Sequence, residues 1–220
     1  MIATVFALEF ESAGYRAIQT PQLCVCVWTL GVTGHRSAPA LKRLIENGRP
    51  QVVVSAGFSG ALKPGLPLGR VIIGENYSDP EMLDCLKVSS DYQIGPVITA
   101  GEILETSHAK QALGETSGAL AADLESAHLY EVCRVSGIPM LSVRCISDTL
   151  DQDLSLPSSV LINPENGKSD PSLIFHYLFR HPAKVPQFAK LVSGARTAQK
   201  SLAKALAEIL PALLRDRPPI

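Results

Sequence analysis

The sequence predicts a single α/β domain in which helices flank a central, mixed but mostly parallel twisted sheet. Three observations lead there. Residues 2–8, 23–32 and 51–57 are apolar, β-branched runs of the kind buried on both faces of a parallel sheet. Between the second and third run, Ala38, Leu41, Leu44 and Ile45 recur at helical spacing, giving the strand, helix, strand alternation of that architecture. A chain of 220 residues suffices for one such core and is short for two.

Taken in order, IATVFAL (2–8) and LCVCVWTLGV (23–32) read as strands, and Ser37 to Asn47 as a helix closed by Asn47, Gly48 and Pro50. QVVVSAG (51–57) is the next strand, followed by a Gly- and Pro-rich turn from Gly60 to Gly69 and a strand at 70–77. Residues 78–94 have mixed polarity and no clear period, so they read as irregular. PVITAG (96–101) is a strand, His108 to Leu113 a short helix, 118–122 a brief apolar run, and Glu125 to Ser136 a helix ended by Gly137. IPMLSVRCIS (138–147) is a long buried strand that delivers Asp148 at its carboxyl end, where parallel sheets gather their ligands. A polar loop with Asn163, Pro164, Asn166 and Gly167 leads to a helical extension from about 163, with helices at 172–180, 185–192 and 195–214. The last carries Leu202, Ala205, Leu206 and Ile209 as its apolar stripe. No internal repeat or linker divides the chain, so residues 1–220 read as one domain.

Composition narrows the function classes. A net charge of −1 gives no basic footprint for nucleic acid, which favours a small ligand. No run approaches the ~20 apolar residues of a membrane span, and the first residues read as a strand rather than a leader. Five cysteines without a paired framework suit a reducing, cytoplasmic setting. Cys24 and Cys26 have no second Cys or His pair at ligand spacing, so they read as buried reduced thiols and no metal is expected.

Three acids stand where loops should meet a site: Glu11, Glu125 and Asp148. An unpaired carboxylate is costly to bury, so each is solvated, capping a helix, or held in a cleft for a task. Taken singly, Glu125 suits a helix N-terminus and Asp148 an N-cap or turn. Lone histidines, His35, His108, His128, His176 and His181, read as surface or core residues.

Longer patterns carry more weight. VVVSAGFSGALKPGLPLGRVII (52–73), ADLESAHLYEVCRVSGIPMLSVRCISD (122–148) and ALEFES (7–12) resemble, in the right order, hallmark segments of the nucleoside phosphorylase and nucleosidase superfamily. The resemblance implies cleavage of the N-glycosidic bond of a purine nucleoside by a homodimer or higher homo-oligomer without a cofactor. It places Ala56, Gly57 and Phe58 in the base and ribose pocket, Glu125 on the ribose hydroxyls, and Leu124 against the sugar. Asp148 would serve as the acid at purine N7, stabilising charge on the leaving base. Glu11 matches the glutamate that activates water in the nucleosidases, a division of labour parallel to an inverting glycosidase.

In phosphorylases, phosphate replaces that water. GVTGHRSA (31–38) offers a glycine turn, cations and a helix N-terminus, which makes Arg36 and Gly34 the candidate phosphate contacts. The family's Gly-x-Gly appears here as Gly31-Val32-Thr33-Gly34, leaving water and phosphate both open as nucleophile. The segment 163–202 resembles the C-terminal region of hopanoid-associated phosphorylases, which implies adenine release from a 5'-modified adenosine. Phe175, Leu178, Phe179, Phe188 and Leu191 would then line an apolar entrance, against the plainer expectation that they pack on the core. Two alternatives stand beside this reading: a methylthioadenosine/adenosylhomocysteine nucleosidase that needs Glu11 and no phosphate, and a nucleoside-binding protein without turnover.

Overall fold

In a computed structural model, the structure describes residues 1–19, 24–32, 34–86, 91–154, 156–161 and 171–215. The three apolar runs become β1 (Ile2–Phe6), β2 (Val25–Thr29) and β3 (Val52–Ala61), and α2 (Gly34–Gly48) crosses between the last two. The remaining strands are β4 (Val71–Gly74), β5 (Tyr92–Gly95), β6 (Val97–Thr99), β7 (Ala121–Asp123) and β8 (Met140–Asp148). They form one sheet in the order β2-β1-β3-β8-β4-β5, with β7 joined to β3 and β6 to β7. Pairing is parallel except at β3 with β7 and β4 with β8. This is the mixed, mostly parallel sheet that the alternation of strands and helices predicts.

Side chains alternate across the pleat and so divide between two helical layers. Ile2, Phe6, Val52, Val54, Leu141 and Val143 pack beneath α8 (Val185–Arg215), whose Leu202, Leu206, Ile209 and Leu210 are buried among them. On the opposite face, Ala3, Val5, Val53 and Met140 meet Leu41, Leu44 and Ile45 of α2 and Leu129 and Cys133 of α5 (Ser126–Val135). A smaller cluster of Leu62, Ala119 and Ala122 joins Leu113 of α4 (Ser107–Ser117) to the end of β3.

Several expectations need correction. The loop around Glu11 is a helix, α1 (Glu9–Arg16), whose Tyr15 and Ser12 are buried. Its apolar stripe is too short to announce a helix, and the surface that covers it comes from α8. The stretch 78–94 contains the short helix α3 (Pro80–Asp84) and β5, an edge strand whose order comes from pairing with β4. The turn expected from Gly60 starts late, because β3 runs on to Ala61 to pair with β7. After α6 (Ser158–Leu161), α7 (Pro171–Arg180) stands where a helix was expected, whereas the two final helices are one continuous α8. The second half of α8 is therefore integral to the core and no appendage. The loop expected around Asn163, Pro164, Asn166 and Gly167 lies outside the described residues. Cys133 and Cys145 are buried, but Cys24 is exposed and precedes β2, so the thiols do not share one buried environment.

Candidate active site

The site is assembled where strands end. β1 leads through Ala7 and Leu8 into α1, β7 ends at Asp123 and passes into Leu124 and Glu125, and β8 ends at Asp148. These ends and residues 58–60 of β3 wall a cavity of about 200 Å³. Glu11, Phe58, Leu124, Glu125 and Asp148 all line it.

Glu11 is buried at the third position of α1. Its Oε2 accepts from the backbone N–H of Leu8 (2.8 Å) and Ala7 (3.1 Å), and its Oε1 accepts from Phe58 N–H (2.8 Å). The bond back to Leu8 is half of a capping box, so part of its role is to start α1. The Phe58 bond ties it to β3 as well. Burial pushes its carboxyl above the usual value of 4.5, opposed by the backbone bonds and by the nearby Arg144 charge.

Glu125 occupies the N-cap position of α5 but makes no capping bond with its side chain. Asp123 instead accepts from the Ser126 N–H, at 3.2 and 3.3 Å to its two oxygens. That leaves Glu125, nearly buried, facing the main cavity and a smaller one behind it.

Asp148 is held from two sides. Ser147 Oγ donates to its Oδ1 (2.9 Å), and Lys110 Nζ donates to its Oδ2 in an ion pair. Lys110, on α4, is 1% exposed and gives its other protons to the carbonyls of Thr149 (3.0 Å) and Gln152 (2.8 Å).

Beneath the cavity lies a second buried pair. Arg144 Nε donates to Asp123 Oδ2 at 2.5 Å, and its remaining nitrogens reach Ser55 O, Ser55 Oγ and Ser126 Oγ, each at 2.8 Å, and Val143 O at 3.0 Å. Asp123 also accepts from Thr99 Oγ1 at 2.9 Å. So dense a network fixes the floor on which Glu125 stands.

The glycines of the GFSG segment have a geometric reason. A Cβ at Gly57 would lie 3.1 Å from Glu11 Oε1, and one at Gly60 would lie 3.0 Å from Asp148 Oδ2. Bare backbone lets both carboxylates press against β3. Between them, Ser59 Oγ is buried in the wall and has no hydrogen-bond partner among the described residues.

Not every predicted residue joins the cavity. Ala56 and Gly57 line the smaller cavity with Ser55, Glu125 and Arg144. Gly34 opens α2, and Arg36, half-buried in its first turn, is not among the described residues lining either cavity. Phe175 and Phe179 stack on each other at 6.5 Å between ring centres and are 72% and 78% exposed. Neither the apolar entrance nor core packing describes them. Among the described residues no cluster of His, Cys, Asp or Glu could hold a metal, and no helix is long and apolar enough to cross a membrane.

Sequence reasoning missed Lys110, Asp123 and Arg144. Arg144 had a visible signal, a cation inside an otherwise apolar strand, where a charge needs a partner. Lys110 had none, since the aspartate it pairs with lies 38 positions along the chain.

Comparison with known proteins bears on the fold and on the family of the segment that carries the ends of β7 and β8. Residues 74–168, which include Lys110, Asp123, Glu125, Arg144 and Asp148, match the model of the Phosphorylase superfamily. A 5'-methylthioadenosine/S-adenosylhomocysteine nucleosidase of Exiguobacterium sp. is 23% identical over 164 residues, covering 60% of this chain and 70% of that protein. Among solved structures, the corresponding nucleosidase of S. pneumoniae with the transition-state inhibitor MT-ImmA is 15% identical, with a TM-score of 0.70 over 96% of this chain and 99% of that one. The futalosine hydrolase of Helicobacter pylori is 14% identical, with a TM-score of 0.63 over 96% and 97%. At such identities the structural likeness speaks for the fold.

Proposed function

We propose that this chain, a member of the phosphorylase superfamily, hydrolyses the N-glycosidic bond of an adenine nucleoside. The observation that carries the reading is the joint placement of Glu11 and Asp148 in one cavity, each held against β3. Their contact points, Gly57 and Gly60, are three residues apart, which is roughly 10 Å of strand. That leaves room for a sugar and a water between an acid and a base, as in inverting glycoside hydrolysis.

In this mechanism Asp148 supports protonation of the purine at N7 while the C1'–N9 bond breaks and its electron pair passes to the base. Glu125 accepts hydrogen bonds from the ribose hydroxyls, and Leu124 packs against the sugar. Glu11 takes a proton from water as its oxygen attacks C1'. A carboxyl raised by burial suits this task, because a stronger base draws the proton more readily once ionised.

The charge of the cavity favours water over phosphate. Glu11, Glu102, Asp123, Glu125 and Asp148 line it, and among the described residues the one cation doing so is Lys110, already committed to Asp148 and two carbonyls. A phosphate dianion would meet carboxylates at close range, where like charges repel most strongly. Phosphorolysis through Arg36 and Gly34, expected from the GVTGHRSA turn, has less support. Val32, Ile103, Leu104 and Leu154 give the cavity apolar wall area, which suits a small apolar 5'-substituent such as methylthio. The bulky lipophilic group implied by the 163–202 segment has less support, since Phe175 and Phe179 are exposed and are not among the residues lining the cavity.

The test is to incubate the protein with adenosine, methylthioadenosine and a lipophilic 5'-substituted adenosine, with and without phosphate, and follow free adenine against an Asp148→Asn control. Adenine release from methylthioadenosine that ignores phosphate and is lost in the control is the expected result. Release only with phosphate would make the protein a phosphorylase. Binding without release would leave a nucleoside-binding protein.

A further inference from the structure

Lys110 is a charged residue that the mechanism above leaves without a task. A lysine buried to 1% exposure ordinarily carries a desolvation cost that structure alone seldom justifies. Here its three protons have three acceptors: Asp148 Oδ2, Thr149 O and Gln152 O. Two of these lie in the turn that follows Asp148, so Lys110 fixes both the carboxylate and the backbone around it. It also lines the substrate cavity itself. Its electrostatic surroundings are acidic, with Asp151 and Asp153 at the surface of the same turn.

This arrangement bears on the leaving base. Asp148 accepts from the Lys110 ammonium at one oxygen and from the Ser147 hydroxyl at the other, so both its oxygens already face a proton donor. Of these two donors the ammonium is the stronger acid, so it is the one able to feed a proton through Asp148. We infer that Lys110 is the proton source for the departing purine, delivering its Nζ proton to Asp148 Oδ2 as the Asp148 carboxyl passes one to N7. The inference rests on the nucleosidase reading above.

The step balances. The C1'–N9 bond breaks with its electron pair on the base, N7 gains one proton, Lys110 is left as a neutral amine, and Asp148 ends as it began. Water supplies hydroxide to C1' and its other proton to Glu11. When the products leave, solvent returns a proton to Lys110 and takes one from Glu11. Lysine suits this role because its ammonium can give up a proton, whereas an arginine in a protein cannot.

The experiment compares wild type with Lys110→Met and Lys110→Arg, each checked by circular dichroism, on two substrates. One is methylthioadenosine, whose base needs a proton. The other is a 4-nitrophenyl riboside with the same 5'-group, whose nitrophenolate leaves without one. The expected result is a loss of roughly 100-fold or more in kcat on methylthioadenosine for both variants, with the nitrophenyl riboside affected less than about tenfold. Equal losses on both substrates, or recovery of methylthioadenosine hydrolysis by Lys110→Arg, would show that Lys110 only positions Asp148 and overturn the inference. If Lys110→Met does not fold, Lys110→Arg, which keeps the buried cation, carries the test alone. Failure of wild type to release adenine at all is a different outcome, which removes the nucleosidase reading and this inference with it.

Discussion

At the scale of single residues, the site depends on placing carboxylates where water is scarce and then choosing a different set of partners for each. Glu11 has backbone N–H donors and, among the described residues, no cation in hydrogen-bond contact, Asp148 has a lysine and a hydroxyl, and Asp123 has an arginine. Burial raises the carboxyl of Glu11, so its ionised, water-activating form is lost on acidification sooner than that of an ordinary glutamate. Activity should therefore fall as the pH drops through a value above 4.5, the group's usual one. A pH profile of kcat/KM measures this, and an acid limb at or below the usual value would contradict it. Glu11→Gln should lower kcat by roughly 100-fold or more, the range for loss of a general base. A substituted enzyme that keeps most of its rate would place the water elsewhere.

At the scale of elements, β3 and α4 do the positioning. Strict alternation along β3 would put positions 57 and 60 on opposite faces. Ser59 pairs with Ile146 but Gly60 with Asp148, so Ser147 is an extra residue on β8, and such a bulge re-aims the end of β8 that carries Asp148. Glu11 and Asp148 can then meet the same cavity from their two sides. α4 brings Lys110 up to Asp148 because Gly114, one turn further on, lets the helix touch the end of β3 and the residue beyond. A Cβ at Gly114 would lie 2.3 Å from the carbonyl oxygen of Leu62, an obstacle of rigid backbone. Gly114→Ala should therefore push α4 outward and cost about 1–3 kcal/mol of stability, measurable by urea denaturation. It should also reduce activity, because Lys110 moves with the helix. Unchanged stability would mean that α4 is free to shift.

At the scale of the whole molecule, the site is stable because the sheet is sandwiched between helical layers and its strand ends cannot drift apart. α8 covers one face, and Leu206, fully buried beneath it, belongs to the same cluster as Phe6 of β1 and Cys145 of β8. Leu206→Ala should destabilise the protein by about 2–5 kcal/mol, seen as a lower Tm. A change below about 1 kcal/mol would mean that α8 is dispensable to the core.

The division between what could be read and what could not follows from how far each signal travels along the chain. The fold class, β1, β2, β3, α2, α5 and β8 are legible because apolar periodicity and turn residues act over a few neighbouring positions. Glu11, Glu125 and Asp148 stand out in the sequence as acids beside strand ends, and recognisable segments surround them. The short helices α1 and α3 and the edge strand β5 are not legible, since they owe their order to surfaces supplied by distant elements. Nor are the partners of the carboxylates. That Lys110 faces Asp148, that Arg144 grips Asp123 and that Glu11 reaches Phe58 are pairings across 38, 21 and 47 positions. The sequence by itself determined which residues can carry charge and which segments must be buried; only the tertiary structure decided which charges meet, because electrostatic and hydrogen-bond energies depend on distance in space.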